Sequence, residues 1–287
     1  MLIGAAACWG VGTVISKHTL NGIEPFTLLT AQLLTSTAFL FTVILIQRVQ
    51  MAWTPEMRRL AALGVLNPGI AYALGLLGLT YITASMSVLL WATEPVLILV
   101  LAFVLLRERI SVGLGVALGV AVLGVLLVVY EGGATGTLVG VSLTVAAVAA
   151  CALYTVFARY LLVDDASIAV AGVQQAAALV FASVLFAATE LLTSGSGLIT
   201  SVSATTWLWA ALSGLLYYGL AFWLYLGGLA AVSASFAGSF ITLVPVFGVT
   251  AALFIGEQLS TRQWLGATIV LGALAYVAAK QQVDRRE

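Results

Sequence analysis

LTYITASMSVLLWATEPVLILV, residues 79–100, is long and apolar enough to cross a bilayer, which takes ~20 residues of helix. It nevertheless carries Glu94 near its middle, with Pro95 directly after it. An ionised carboxylate costs several kcal/mol in hydrocarbon, so such a residue is expected to face a partner or a wet cavity. Proline removes a helix hydrogen bond at that point, letting the helix bend and freeing a carbonyl. On a regular helical wheel Thr83, Ser87, Trp91 and Glu94 fall within about 80° of one another, a polar and aromatic stripe inside a membrane helix.

Working outward, composition sets the class. Of 287 residues 62% are hydrophobic and only 8% charged, and mean hydropathy is +1.16. A soluble domain carries about 25% charged residues, so this chain could not cover a water-exposed surface and reads as a polytopic membrane protein. Net charge is zero, which gives no electrostatic reason to expect nucleic acid as a partner. Cys8 and Cys151 lie in apolar segments and are expected as small packed side chains, not a disulfide. The opening MLIGAAACWG has no basic region or clear cleavage site, so it is expected to be the start of the first spanning helix and not a signal peptide.

Ten apolar segments of spanning length can be marked, at approximately 2–20, 25–47, 59–79, 82–105, 111–130, 137–160, 167–190, 206–228, 232–255 and 261–279. Short links join them, and no soluble domain fits between. Lys and Arg set the orientation. Arg48, Arg58, Arg59, Arg107, Arg109, Arg159, Lys280, Arg285 and Arg286 fall on the side of both termini, and only Lys17 and Arg262 on the other. Both termini are therefore expected in the cytoplasm.

The second half repeats the first. Glu94-Pro95-Val96 answers to Val244-Pro245-Val246, 150 residues later, and TYITAS (80–85) answers to AAVSAS (230–235) at the same offset. RERIS (107–111) matches GEQLS (256–260), and GVGTVISK (10–17) resembles ALYTVFAR (152–159). Five spans per repeat is an odd number, so the halves are expected to face opposite ways, as in secondary transporters.

These features carry a family resemblance: two five-helix repeats, Trp9-Gly10 with Lys17 downstream, Pro95 and Pro245 within spans 4 and 9, and Glu108 and Glu257 ending them. Together with IGEQLSTRQWLGATIVLGALAYV (255–277), they resemble the EamA-type transporters of the drug/metabolite transporter superfamily. The first repeat lacks the Gln-Trp-x-Gly element after Glu108. The resemblance implies an all-α integral membrane fold of ten transmembrane helices as two inverted five-helix repeats, residues 1–131 and 137–280, with a cytoplasmic tail at 281–287. Overall likeness is greatest to YddG-like amino acid exporters of bacterial inner membranes.

In such folds the substrate site lies near the bilayer midplane between the repeats. The expected substrate-binding residues are Trp9, Thr13, Tyr72, Ser87, Trp91, Glu94, Tyr154, Tyr218 and Ser239, with Pro95 and Pro245 as hinges. Glu94 is expected to exchange a proton near neutral pH or, when ionised, to bind a substrate ammonium with Trp91 adding a cation–π contact. The alternative is a protonated Glu94 bonded to a carbonyl freed by Pro95. The prolines read equally as hinges or as fixed kinks that shape a cavity. Trp9 and the GAAACWGVG tract read as site or as close helix packing. Asn67 is expected to satisfy the backbone group that Pro68 disrupts. Gln174 and Gln175 are expected as packing contacts, and Tyr218 and Tyr225 share a face of span 8. Glu108 and Glu257 are expected to favour the positive starts of spans 5 and 10, and Ser260 with Gln263 reads as a capping box.

The expectation is thus a transporter exporting neutral or aromatic amino acids by alternating access, with a small-molecule substrate, the lipid bilayer and protons as partners. Another metabolite, nucleobase, vitamin or drug remains an alternative cargo. No cofactor, metal cluster or catalytic residue is expected. His18 stands alone, and there is no P-loop to use ATP. Outside transport, a passive channel or an intramembrane enzyme is the remaining alternative.

Overall fold

The computed structural model describes residues 1–106, 112–129, 135–161, 168–192, 202–229 and 240–283. Every regular element among them is helical. In chain order these are α1 (Leu2–Thr19), α2 (Pro25–Ile46), α3 (Pro55–Gly64), α4 (Ala71–Tyr81), α5 (Ala84–Trp91), α6 (Glu94–Leu106) and α7 (Val112–Val129). The second half supplies α8 (Thr135–Leu161), α9 (Ile168–Leu192), α10 (Ala204–Gly214), α11 (Ala221–Leu229), α12 (Val244–Phe254) and α13 (Thr261–Val283). Wide π turns at Val65–Ile70 and Leu215–Leu220 join α3 to α4 and α10 to α11. Glu108, Ser235 and Ser239 lie outside the described residues.

Local chemistry explains where several helices start. Pro25 and Pro55 open α2 and α3, where the missing amide is no loss. Thr54 accepts the Met57 amide at 3.2 Å and Ser203 accepts the Thr206 amide at 3.1 Å. At α13, Ser260 N–H donates to Gln263 Oε1 at 2.9 Å while Gln263 N–H donates to Ser260 Oγ at 3.3 Å, a complete capping box.

Buried polar groups and outward-facing apolar ones accompany an apolar core that includes Leu28, Leu29, Leu33 and Leu40. Leu45, Leu191, Leu192 and Phe254 point outward, while Gln32, Ser36, Thr144 and Ser213 are fully buried. Among the described residues, five helices are long and apolar enough to cross a membrane: Pro25–Ile46, Pro55–Tyr81, Leu138–Ala158, Ile168–Leu192 and Ala204–Gly228. Shorter apolar helices lie at Ala84–Ile98, Gly115–Val128 and Val244–Phe254. The interior amides are not idle: Gln32 Nε2 donates to Ser16 Oγ and to Ser213 Oγ, both at 2.8 Å, joining spans 1, 2 and 8. Gln175 accepts from Ser36 and donates to the Tyr218 carbonyl at 2.7 Å, joining spans 2, 7 and 8.

Contacts between the halves come in matched pairs. α1 packs on α12 as α8 packs on α6, α4 on α8 as α11 on α1, and α3 on α9 as α10 on α2. The α2–α9 and α7–α13 pairs map onto themselves. In the last of these, Ala121 shares a buried cluster with Ala273 and Leu274, whereas Val128 shares one with Ala267. That register makes α7 and α13 antiparallel, as inverted repeats require.

The irregularities repeat as well. The π turns at Val65 and Leu215 begin 150 residues apart, the offset of the two prolines. Span 4 breaks into α5 and α6, with Thr93 N–H donating to Leu90 O at 3.0 Å. Span 9 has the same turn, with Leu243 N–H donating to Phe240 O at 3.0 Å. The prolines therefore do not kink continuous helices. Each sits at the second residue of a new helix, and the interruption precedes it by two residues. The stripe drawn across residues 83–94 is accordingly corrected: Thr83 caps α5 and Glu94 begins α6.

Candidate substrate cavity

The broken spans 4 and 9 both border a cavity of about 250 Å³. Its walls come from spans 1, 3, 4, 6, 8 and 9. Trp9, Tyr72, Trp91, Glu94, Tyr154 and Pro245, all expected from the sequence, line it. Asn67, Val88, Ala92, Cys151, Thr155, Tyr217, Phe222, Tyr225, Ile241 and Val244 complete the wall. Thr13, Ser87 and Tyr218 fall elsewhere, in a second pocket of about 30 Å³ that shares Tyr72, Trp91 and Tyr217 with the main cavity. Pro95 does not line either cavity, and Ser239 is outside the described residues.

Glu94 is the one acidic side chain on the main wall among the described residues. The Cys151 thiol donates to its Oε1 at 3.2 Å, tying α6 to α8. Tyr154, one helical turn on, donates its hydroxyl to Gln174 Oε1 at 2.9 Å. Gln174 is thus a packing amide that also aims a cavity-wall phenol. The rings make two groups. Trp9 lies 5.6 Å from Phe222 and 5.5 Å from Tyr225, centroid to centroid. Tyr72 stacks on Trp91 at 5.2 Å and meets Tyr217 and Tyr218 edge-on at 5.5 and 5.0 Å. Aromatic faces beside a carboxylate suit a cation with an apolar or aromatic body.

The π turns explain what regular helix periodicity misses. One extra residue in a turn shifts the later face by one position. Residues eight apart, Tyr217 and Tyr225, therefore line one wall, where a regular helix pairs Tyr218 with Tyr225. In span 3 the same shift brings Asn67, five residues before Tyr72, onto the cavity side. Asn67 has extended backbone, and its Oδ1 has no protein partner. Cys151 was legible in principle, because it shares a helix face with Tyr154 and Thr155.

Close approach of spans 1 and 9 at the cavity needs glycine. A Cβ on Gly10 would stand 2.6 Å from the Gly248 nitrogen and 2.7 Å from the Val244 carbonyl oxygen. The GAAACWGVG tract therefore does both jobs: Gly10 packs, and Trp9 beside it faces the cavity.

An all-helical membrane bundle with broken, repeat-related helices around a central cavity is the architecture of a carrier. The profile of the EamA-like transporter family matches residues 1–130 and 138–279, and the chain belongs to that family. It is 28% identical over 216 residues to the "Uncharacterized transporter YetK" of Bacillus subtilis, covering 73% of this chain and 64% of that protein. It is 27% identical over 154 residues to an "Uncharacterized transporter" of Archaeoglobus fulgidus, covering 54% of each. The matched stretch thus spans less than two thirds of either relative's length. A solved crystal structure shares the fold at a TM-score of 0.67 and 18% identity, over 100% of this chain and 98% of that one.

Proposed function

We propose that this EamA-family transporter exports amino acids, aromatic and neutral ones, or related metabolites, across the cytoplasmic membrane of a bacterium, with both termini in the cytoplasm. The observation that supports this reading is the cavity wall, where one carboxylate, Glu94, stands among Trp9, Tyr72, Trp91 and Tyr225. Glu94 would receive the substrate ammonium or a proton, and the rings its side chain. Residues 1–131 and 137–280 would act as the two inverted repeats. The turns before Pro95 and Pro245 would act as the hinges of alternating access, because they interrupt both cavity-lining spans at equivalent places.

Efflux of labelled amino acids from proteoliposomes, with and without a pH gradient, tests the reading. Export of tryptophan, phenylalanine or a neutral aliphatic amino acid faster than from protein-free liposomes is the expected result. Efflux of a nucleobase, vitamin or drug with no amino acid moving would replace the proposed cargo.

A further inference from the structure

The corner between α4 and α5, residues 82–83, is gripped by two charges that come from other spans. Lys17, in the last turn of α1, donates Nζ to the Leu79 carbonyl at 2.8 Å and the Thr80 carbonyl at 3.3 Å. These lie at the negative end of α4, where a cation is favoured. Glu257, just after α12, accepts the Ala84 amide at 2.8 Å, the Ser85 amide at 3.0 Å and the Ser85 hydroxyl at 2.7 Å. Thr83 Oγ1 takes the Met86 amide at 3.1 Å, so the three amides that open α5 are all satisfied. Glu257 therefore serves a helix start in the opposite repeat, not the start of α13 that sequence position suggests.

The chain is built to deliver Glu257 there. Gly256 has φ 91, and its amide bonds the Leu253 carbonyl at 3.1 Å while the Glu257 amide bonds the Ala252 carbonyl at 3.0 Å. This glycine-terminated cap ends α12 and turns the carboxylate toward α5.

Both charges lie on the side opposite the termini, as the chain order of the helices requires. The main cavity extends the other way, through Asn67, Thr155 and Tyr225. Between cavity and corner come the Tyr72, Trp91 and Tyr217 rings, then the small pocket with Thr13, Ser16 and Ser87. A route out on this side would run through that pocket and past the corner.

We propose that Lys17 and Glu257 are the latch that holds this exit shut, positioning the α4–α5 corner against α1 and α12. The proposal rests on the alternating-access reading above. The latch suits release because it sits at the end of the spans: when the corner moves, water can take over the ammonium, the carboxylate and the helix ends.

Accessibility of single cysteines in the full-length protein tests this. In vesicles bearing the Cys8→Ala, Cys151→Ser background, a membrane-impermeant maleimide is applied to Ser87→Cys from the side opposite the termini. Lys17→Gln and Glu257→Gln are each expected to speed labelling about tenfold, the population change that loss of one charge-assisted contact brings. Labelling of Tyr225→Cys from the terminus side should slow in the same variants. Unchanged Ser87→Cys labelling in both single variants and the double variant overturns the latch, as does faster labelling at both positions, which reports loosening. Amino acid efflux measured in vesicles of the unsubstituted protein separates the two ideas. Efflux with unchanged labelling leaves the carrier reading and removes the latch, whereas reciprocal labelling without efflux leaves the latch and removes the proposed cargo.

Discussion

The Cys151 thiol and the Glu94 carboxylate meet at 3.2 Å across the interface of spans 6 and 4. This thiol donates to a carboxyl oxygen of the residue on which the substrate reading rests. Glu94→Gln is expected to give a flat pH profile of transport, because the exchangeable proton is gone; a profile unchanged from the parent would make Glu94 structural. Cys151→Val is expected to weaken amine binding about tenfold by removing a donor to the carboxylate, and Cys151→Ser to restore it. Titration calorimetry with the purified protein reads both.

Tyr217 and Tyr218 are neighbours with different work. Tyr217 lines the main cavity, whereas Tyr218 is 2% exposed and packs in the central apolar cluster. Tyr217→Ala should raise the KM for transport with little change in melting temperature. Tyr218→Ala should instead cost about 3 kcal/mol of stability by opening a void. A thermal melt beside an uptake assay separates them, and identical behaviour would mean the wide turn does not set the face.

Gly10→Ala should destabilise by about 2 kcal/mol and slow transport, since the new methyl meets the backbone of span 9 at 2.6 Å. Gly119→Ala is the control. Nothing lies within 4 Å of a Cβ there, and alanine should stabilise that helix by roughly 0.5–1 kcal/mol.

Arg48 ends α2 with φ 51, a left-handed conformation that a residue with a Cβ adopts at a cost. Its amide bonds the Leu45 carbonyl at 3.2 Å and the Val49 amide the Ile44 carbonyl at 3.0 Å, the pattern that usually carries glycine. Arg48→Gly is expected to raise stability by about 1 kcal/mol, measured as a higher melting temperature.

Much of the architecture was open to a reader of residues alone. The apolar segments require a lipid setting because so little charge cannot solvate a surface, and the offset of 150 between Pro95 and Pro245 recurs in the broken turns and the π turns. Six of the proposed site residues stand on one cavity wall. Thr13 and Ser87 sit in the adjoining pocket because each lies one helical turn from a cavity tryptophan, Trp9 in α1 and Trp91 in α5, whereas Tyr218 sits there because a helical wheel assumes a constant 100° step, which the wide turn at Leu215–Leu220 interrupts.

Composition, periodicity and the internal repeat settled by themselves that the chain is a helical membrane bundle with a polar residue in its midst, since those properties are local or sum along the chain. Only the folded arrangement decided that Tyr217 replaces Tyr218 on the wall, that Cys151 meets Glu94, and that Glu257 grips Ala84 and Ser85 in the other repeat. Those contacts join groups far apart in sequence, and their partners are fixed by how whole helices pack.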